Sequence, residues 1–315
     1  MRYRRFGQTD LEVSEYGFGA WGIGGTSYGP VERSDALAAL AVAEEQGCNL
    51  VDTAAVYGES EAIIGEFLKG RRDRWIVASK YSFQKDGLEK TLERQLKRLG
   101  TDYIDFYQLH SAPPAQDEIY CRLERLKEAG KVRYIGVSLY SHHSIRQVLA
   151  DERMDGFQVA FNLVDVQPYR MCRRAIEDTG KGVLIRSSLK SGLLTGKYAP
   201  GVRFDKGKDH RAEDMTAEEI DRTLRWLESF RFLEQTEGSL LQAAARYPLA
   251  FDSTSSVLLG ARNAEQARVN FGEIPERPLS DESLRRIEQL QRELGIGRVN
   301  PVKLWIGRLL QAIRG

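Results

Sequence analysis

Short apolar segments recur along the chain and are separated by stretches with helical periodicity. Most of these segments are continuously apolar, with few alternating polar positions, which is typical of parallel strands buried on both faces. Eight such segments occur, at residues 16–20, 50–54, 75–80, 103–109, 132–138, 157–161, 183–187 and 256–260. The pattern therefore predicts eight strands.

The intervening stretches carry apolar residues three or four positions apart, as in Leu88, Leu92, Leu96 and Leu99. This spacing places them on one face of a helix, and the glycine that follows, Gly100, is typical of a helix C-terminus. Strict alternation of strand and helix implies parallel strands. Eight units favour a closed (β/α)8 TIM barrel over an open doubly wound sheet, because no G-x-G-x-x-G follows the first strand.

We expect one domain over residues 1–315, with two regions that depart from the alternation. Residues 198–215 are polar, contain glycine and lack periodicity, which is typical of an active-site lid or a disordered loop. Residues 280–315 are expected to form a C-terminal helical extension, with helices at about 281–294 and 301–313. The last helix is expected to pack on the barrel; a dimer contact or a membrane-surface helix is the alternative.

Composition excludes several classes of function. Lys and Arg total 46 against 45 Asp and Glu, so the net charge of +1 gives no reason to expect nucleic acid or an anionic membrane as partner. Three widely spaced cysteines (Cys48, Cys121 and Cys172) and the isolated pair His142 and His143 predict neither a disulfide framework nor a metal site. Without an apolar N-terminal segment or spanning run, the expected location is cytoplasmic.

Polar residues at the ends of three neighbouring strands suggest chemistry. Asp52 ends the second predicted strand and Tyr57 follows it, Lys80 ends the third, and His110 follows the fourth. Active sites of such barrels lie at the C-terminal ends of the strands. Each residue alone more often has a structural role, as loop packing or a surface ion pair. Their joint placement predicts one site.

These four residue types together suit proton transfer to a carbonyl oxygen. A free tyrosine has a pKa of ~10, and the Lys80 ammonium is expected to lower the pKa of Tyr57. Asp52 would act as counter-ion for a semi-buried lysine, and His110 could hydrogen-bond the carbonyl. The set would serve hydride addition to a C=O group, where the new alkoxide must be protonated.

The sequence also resembles the aldo-keto reductases over nearly its whole length. The segment VDTAAVYGESEAIIGEFLKG (51–70) is similar to the family signature, VASK (77–80) to its lysine segment and QLH (108–110) to its histidine segment. The resemblance implies a bacterial-type, NADP-dependent oxidoreductase acting on a small-molecule aldehyde or ketone. It implies Tyr57 as general acid, Lys80 and Asp52 as residues that tune it, and His110 as the residue that orients the carbonyl.

Further segments resemble the family's binding site for NADP(H): GFGAW (17–21), GVS (136–138), IRSSLKSGLLTGKY (185–198) and LLGARNAEQARVN (258–270). Arg262 favours NADP over NAD, because a guanidinium can grip a 2′-phosphate with two hydrogen bonds. The cofactor-binding residues that the resemblance implies are Gly19, Ala20, Trp21, Asp52, Ser138, Gln158, Arg186, Ser187, Leu189, Lys190, Gly192, Leu193, Lys197, Gly260, Arg262, Gln266 and Asn270.

Three positions depart from the family pattern. Leu139 stands where the family commonly has asparagine, Ser188 where it usually has proline, and Lys190 where it has a small residue. Because leucine neither donates nor accepts a hydrogen bond, one contact to the nicotinamide amide is expected to be missing or supplied by another group. Lys190 could contact a phosphate or face solvent.

Aromatic residues in the loops would suit a flat or apolar carbonyl compound, although packing between loops would explain each of them as well. The candidate substrate residues are Trp21, Tyr28, Tyr57, Tyr81, Phe83, His110 and Tyr140, with Trp305 in the tail.

Two other functions stay open. The first is a non-catalytic regulatory subunit that binds a nicotinamide cofactor on the same barrel. The second is a Schiff-base lyase with Lys80 as nucleophile.

Overall fold

The computed structural model describes residues 1–112, 117–140 and 142–298, apart from the side chains of residues 142–144. In it, eight parallel strands pair in sequence order and close into a barrel. An antiparallel hairpin of β1 (Tyr3–Arg5) and β2 (Glu12–Ser14) precedes them. The barrel strands are β3 (Tyr16–Gly19), β4 (Leu50–Asp52), β5 (Ile76–Tyr81), β6 (Ile104–Leu109), β7 (Val132–Leu139), β8 (Gly156–Ala160), β9 (Gly182–Arg186) and β10 (Ser256–Leu259). The predicted fold class is confirmed.

Helices surround the barrel on its outer side. α3 shows why: its leucine stripe is buried, and Gly100 ends the helix in the left-handed conformation (φ 64°) that glycine adopts without strain. The helices are α1 (Arg33–Glu45), α2 (Ser60–Phe67), α3 (Leu88–Leu99), α4 (Asp117–Glu128), α5 (His142–Leu149), α6 (Gln167–Thr179), α7 (Arg211–Asp214), α8 (Ala217–Ser229), α9 (Phe232–Thr236), α10 (Leu240–Arg246), α11 (Ala264–Ala267) and α12 (Asp281–Glu293). Short 3-10 turns lie at Ala20–Ile23, Arg72–Arg74, Leu193–Thr195 and Tyr247–Ala250, and α11 continues into a π-helical turn at Arg268–Gly272.

The N-terminal hairpin, which the sequence analysis did not predict, closes the bottom of the barrel. Phe6 in its turn is 1% exposed and packs edge-on against Phe106 with ring centroids 4.7 Å apart. A Cβ added at Gly156 or Gly182 would lie 2.5–2.6 Å from the Phe6 ring, so glycine is required at both positions. The interior apolar cluster at this end is Phe6, Leu11, Val13, Leu50, Ala78, Phe106, Leu184 and Leu258.

The interior of the barrel becomes polar one layer higher. Successive side chains of a strand point to opposite faces, so a residue two positions beyond an interior residue also faces the interior. Leu50 is thus followed by Asp52, Ala78 by Lys80, Phe106 by Gln108, and Leu184 by Arg186, while Ser138 and Gln158 pair side by side on β7 and β8. The alternation that builds the core therefore also places a ring of polar side chains at the C-terminal ends of the strands.

The two regions outside the strand–helix alternation differ in structure. Residues 198–215 consist of turns and the single-turn helix α7, and α12 occupies most of the predicted 281–294 helix. The predicted helix at 301–313 and Trp305 lie outside the described residues, as do the side chains of His142 and His143. None of the helices that the structure describes has the length and apolar character needed to cross a bilayer.

Candidate active site

Asp52 is the centre of a buried polar cluster at the top of the barrel. It is 3% exposed and accepts hydrogen bonds from Lys80 Nζ at 2.5 Å, Gln158 Nε2 at 3.0 Å and Gln108 Nε2 at 3.2 Å. Lys80 is fully buried and also donates to the Thr53 carbonyl at 2.9 Å. Lys80 and Asp52 thus balance each other's charge and form a hydrogen bond, which is the usual requirement for charged groups that are buried. Gln108 was not among the predicted site residues, although the alternation of side chains along β6 directs it inward.

Tyr57 lies in front of this cluster, in the loop after β4. Its ring centroid is 5.3 Å from Lys80 Nζ and 5.7 Å from the His110 ring. The loop packs on Gly24, where a Cβ would lie 2.0 Å from the Tyr57 carbonyl oxygen. His110 Nδ1 is hydrogen-bonded to Ser82 Oγ at 2.6 Å, which fixes the orientation of the imidazole. The structure therefore brings all four predicted catalytic residues together.

The protonation states follow from burial and from the neighbouring charges. Burial raises the pKa of the Tyr57 phenol, Asp52 raises it further, and Arg186 opposes them. Burial, together with the charges of Lys80 and Arg186, lowers the pKa of His110 to about 3. Burial also lowers the pKa of Lys80, against the attraction of Asp52. The site accordingly holds a protonated tyrosine beside a neutral histidine.

This result corrects one expectation. Lys80 was expected to lower the pKa of Tyr57, but the pKa lies above its ordinary value. The physical reason is first the burial of the phenol and then the negative charge of Asp52, which both raise the pKa of Tyr57. The positive charge of Lys80 is balanced by Asp52 at 2.5 Å and does not offset them.

A cavity of about 990 Å³ opens over these residues, at the upper end of the roughly 300–1,000 Å³ usual for small-molecule sites. Lys80 is not among its lining residues; it lies behind the wall that Asp52 forms. The predicted cofactor residues that line the cavity are Gly19, Ala20, Trp21, Asp52, Gln158, Arg186, Ser187, Leu189, Gly192, Lys197, Gly260, Arg262, Gln266 and Asn270.

Three predicted cofactor residues do not line the cavity. Ser138 is buried beneath it, and its Oγ has no hydrogen-bond partner. Lys190 lies in the adjacent loop, and Leu193 packs against Ile220 and Leu224 in a separate apolar cluster. Of the candidate substrate residues, the cavity is lined by Trp21, Tyr28, Tyr57, His110 and Tyr140.

Tyr81 and Phe83 lie away from this cavity. The Tyr81 side chain is buried on the outer face of β5 and its hydroxyl donates to the Gln84 carbonyl at 3.3 Å. The Phe83 ring is 42% exposed and packs against Tyr81 with centroids 5.1 Å apart. In their place the cavity wall includes Val56 and His210, which the sequence analysis did not single out. Val56 could have been predicted to line the cavity, because it directly precedes Tyr57 in the sequence.

The loop after β9 forms one wall in a sharply turned conformation. Ser187, Lys190 and Ser191 all have φ between 45° and 57°, the left-handed region that non-glycine residues rarely adopt. Ser188, at the position where the family usually has proline, donates its hydroxyl to the Leu258 carbonyl at 3.1 Å. This bond joins the loop to the neighbouring strand β10.

Arg262 lies at another part of the cavity wall. Its Nη2 donates to the carbonyls of Pro30 at 2.7 Å and Gly29 at 3.2 Å, whereas its buried Nε has no partner. Gln266 Oε1 accepts from the Arg262 backbone N–H at 3.0 Å, and Asn270 donates to the Gly260 carbonyl at 2.7 Å. These contacts hold the Arg262 guanidinium at the cavity wall while some of its N–H donors have no protein partner.

Leu139 does not face the cavity. Its side chain is fully buried in the apolar layer between barrel and helices, because Ser138 takes the inward position on β7. Only the Leu139 carbonyl takes part in the site, where it accepts from Arg186 Nη2 at 3.1 Å. In this structure a polar side chain at position 139 would therefore enter the core and would not reach the cavity.

Comparisons with known proteins agree with the fold. The model of the aldo/keto reductase family matches residues 15–292. The aldo-keto reductase YhdN of Bacillus subtilis is 32% identical, over 84% of this chain and 86% of its own length. The NADH-specific methylglyoxal reductase of Escherichia coli is 31% identical, over 84% and 90%. Among solved structures, the glycerol dehydrogenase AKR11B4 from Gluconobacter oxydans superposes with a TM-score of 0.80 at 26% identity, over 95% and 98%.

The chain belongs to the aldo/keto reductase family. It is therefore an oxidoreductase of a family that uses nicotinamide cofactors and acts on small-molecule carbonyl compounds.

Proposed function

We propose that this protein reduces an aldehyde or ketone to the alcohol, or catalyses the reverse reaction, with NADPH as cofactor and Tyr57 as general acid. The observation that carries the proposal is the placement of Tyr57 beside His110 on the wall of one cavity, next to the ion pair of Asp52 with the fully buried Lys80. A bound cofactor would supply the hydride. The protein must then supply a proton and a place for the developing oxyanion.

Each residue of the set has a separate task. Tyr57 donates its proton to the carbonyl oxygen. His110, with Nδ1 held by the Ser82 hydroxyl, carries its own proton on Nε2 in this assignment and donates a hydrogen bond to the same oxygen. Lys80, anchored by Asp52, keeps a positive charge behind the phenol that stabilises negative charge developing in front of it.

The cavity residues fit a nicotinamide dinucleotide. Gln158 lines the cavity and offers its side-chain amide to the carboxamide, and the unpartnered Ser138 Oγ lies beside it on β7, behind the cavity wall. The Arg262 guanidinium lines the cavity and offers donors for a phosphate. A guanidinium with free donors is suited to the 2′-phosphate that distinguishes NADP from NAD. Because the Escherichia coli relative is named as NADH-specific, the preference of this protein for NADPH over NADH has to be measured.

Residues 198–215 are proposed to form the lid of this site. The backbone N–H of His210 donates to the Ser27 carbonyl at 2.7 Å, and its imidazole packs on Trp21 with centroids 4.1 Å apart. Arg211 holds the segment together through Asp209 Oδ1 at 2.8 Å and the Phe204 ring at 3.7 Å. The segment thus joins the loop after β9 to the loop after β3, and its residues Asp209, His210 and Arg211 line the cavity.

The experiment that tests the function is a panel of aldehydes and ketones with NADPH, following loss of its absorbance, and NADH as the comparison. We expect turnover of at least one carbonyl compound, faster with NADPH. Tight NADPH binding without turnover of any carbonyl would support the regulatory-subunit alternative instead. Borohydride trapping of a carbonyl on Lys80 would support the lyase, but the full burial of Lys80 argues against that chemistry.

The cofactor preference is tested by Arg262→Ala. Loss of a charge-assisted phosphate contact is expected to weaken NADPH binding about tenfold to a hundredfold, with little change for NADH. Dissociation constants measured by fluorescence titration decide the outcome. Arg268→Ala, which removes an exposed arginine just beyond α11 that does not line the cavity, is the matched control. Equal loss for both cofactors in Arg262→Ala would refute the 2′-phosphate assignment.

A further inference from the structure

Three aromatic rings meet where residues 198–215 contact the loop after β3. The ring centroid of His210 lies 4.1 Å from that of Trp21 and 4.6 Å from that of Tyr28. The centroids of Trp21 and Tyr28 are 5.8 Å apart, and all three residues line the cavity over Tyr57. Trp21, Tyr28 and His210 therefore form one three-ring cluster that joins the two loops.

Trp21 connects this cluster to the reaction centre. Its ring centroid is 6.3 Å from that of Tyr57, and the Tyr57 ring in turn is 5.7 Å from the ring of His110. Of the rings that surround Trp21, that of His210 comes nearest, at 4.1 Å. A side chain that loses a packed neighbour relaxes into the space left behind. The position of the indole beside Tyr57 therefore depends on His210.

His210 is itself held in place from two sides. Its backbone N–H donates to the Ser27 carbonyl at 2.7 Å, and its Nδ1 donates to Asp214 Oδ2 at 2.8 Å. Ser27 Oγ in turn donates to the Trp21 carbonyl at 3.0 Å. His210 Nε2 is buried and has no hydrogen-bond partner among the described residues. The imidazole thus acts on its surroundings by packing against Trp21 and Tyr28, and not by offering a polar atom to a ligand.

The walls of the cavity differ in how firmly they are backed. Val56 is 52% exposed and Tyr140 is 57% exposed, so the wall that they form borders solvent. The indole of Trp21, in contrast, is backed by the ring of His210. A carbonyl compound whose oxygen meets Tyr57 must fit its carbon skeleton between these walls. Only the wall that Trp21 forms can set a firm limit to its size.

We propose that His210 is a positioning residue that holds the Trp21 indole beside Tyr57 and so limits the size of the carbonyl substrate, with the result that compact carbonyl compounds are favoured over bulky ones. This inference rests on the proposed function. His210 acts through Trp21 and touches no reacting atom. The inference also requires more than a lid does, because a lid needs only the segment to be present, whereas the size limit needs the ring.

The test compares a compact aldehyde with a bulky one in two pairs, benzaldehyde with 2-naphthaldehyde and propanal with 2,2-dimethylpropanal. We expect the wild-type enzyme to favour the compact member of at least one pair by about tenfold or more in kcat/KM, as small pockets do. His210→Ala should lower that ratio by about tenfold, mainly through a lower KM for the bulky member. His210→Phe keeps a ring at this position and should retain the ratio.

Two further variants and a spectroscopic measurement show whether the effect passes through Trp21. Asp214→Ala leaves the imidazole but removes its hydrogen bond, so the ratio should fall less than in His210→Ala. Lys206→Ala changes an exposed residue of the same segment that does not line the cavity, and it is the control. The emission of Trp21, taken as the difference between each protein and its Trp21→Phe counterpart, should move to longer wavelength in His210→Ala and stay in place in His210→Phe.

The outcomes separate this inference from the proposed function. Absence of any preference for compact substrates in the wild type, or an unchanged ratio in His210→Ala, would overturn the size limit. Equal loss of turnover for both members of a pair, or weaker NADPH binding with the ratio unchanged, would also overturn it. Calorimetric binding of benzamide against 2-naphthamide in the presence of NADP⁺ repeats the comparison without turnover. In a protein that reduces no carbonyl, a binding ratio that depends on His210 would support the size limit while the proposed function fails, and an unchanged ratio would overturn both.

Discussion

Replacing Tyr57 with phenylalanine is expected to lower kcat for carbonyl reduction by about two to four orders of magnitude, the usual contribution of a positioned general acid. The substitution removes the hydroxyl and keeps the ring, which packs 5.7 Å from His110 and 6.3 Å from Trp21 between centroids. The cavity shape and the cofactor residues should therefore persist. Steady-state kinetics on a substrate found in the panel, with NADPH saturating, measures the effect.

A matched control removes a different tyrosine hydroxyl close to the site. Tyr81→Phe deletes a hydroxyl whose bond to the Gln84 carbonyl is 3.3 Å long and which lies outside the cavity, so kcat should change little. NADPH binding should be nearly the same in Tyr57→Phe, Tyr81→Phe and the wild type. Near-normal turnover in Tyr57→Phe would exclude the general-acid role, whereas a large loss in Tyr81→Phe would contradict the placement of Tyr81.

The pH profile of the wild-type enzyme gives a second measurement of the same role. Because the pKa of Tyr57 is raised, its acid form persists at alkaline pH, and because the pKa of His110 is lowered to about 3, the imidazole stays neutral. The value of kcat/KM for reduction should therefore be flat between about pH 6 and about pH 9 in the free enzyme. A steep change near pH 7 that disappears in a His110→Gln variant would show that His110 titrates during catalysis.

The barrel could be predicted because buried parallel strands leave a strong signature. Segments such as Trp75–Lys80 and Val132–Ser138 are apolar on both faces, and the structure places β5 and β7 within one or two residues of them. The N-terminal hairpin leaves no such signature, since its two strands have three residues each and carry exposed charged side chains. The role of its turn residue Phe6 depends on glycines at 156 and 182, which are remote in sequence.

Site residues could be predicted where a sequence motif and the alternation of side chains along a strand both place a side chain inside the barrel at its C-terminal end. Asp52, Lys80 and His110 end or follow neighbouring strands, so the sequence places them at one end of the barrel. Tyr81 immediately follows Lys80 on β5, so its side chain points to the outer face of the barrel. This alternation alone could have indicated that Tyr81 does not contact the substrate. The lack of a carboxylate partner for Arg186 among the described residues could not be predicted, because it depends on which distant segments the fold brings near it. The pKa direction of Tyr57 depends on burial, which the motif does not specify.

Replacing Asp52 with asparagine is expected to lower the free energy of unfolding by about 3–5 kcal/mol near neutral pH, the usual cost of removing one partner from a buried ion pair. The variant keeps the side-chain shape but leaves Lys80, which is fully buried, without its counter-ion. Urea unfolding followed by circular dichroism measures the change. Glu177→Gln, which breaks an exposed pair with Arg173, should change stability little.

The sign of the pH dependence identifies Lys80 as the cause of that loss. Burial lowers the pKa of Lys80 and Asp52 raises it, so in Asp52→Asn the folded-state pKa falls further below the unfolded value. Between those two pKa values the unfolded chain binds more protons than the folded one, and stability rises with pH. Asp52→Asn should therefore recover stability between about pH 6 and about pH 9 relative to the wild type. In Asp52→Asn combined with Lys80→Met, no buried ammonium remains, and this recovery should vanish. An equal deficit at both pH values in Asp52→Asn would mean that lost hydrogen bonds to Gln108 and Gln158, not the unpaired lysine, account for the destabilisation.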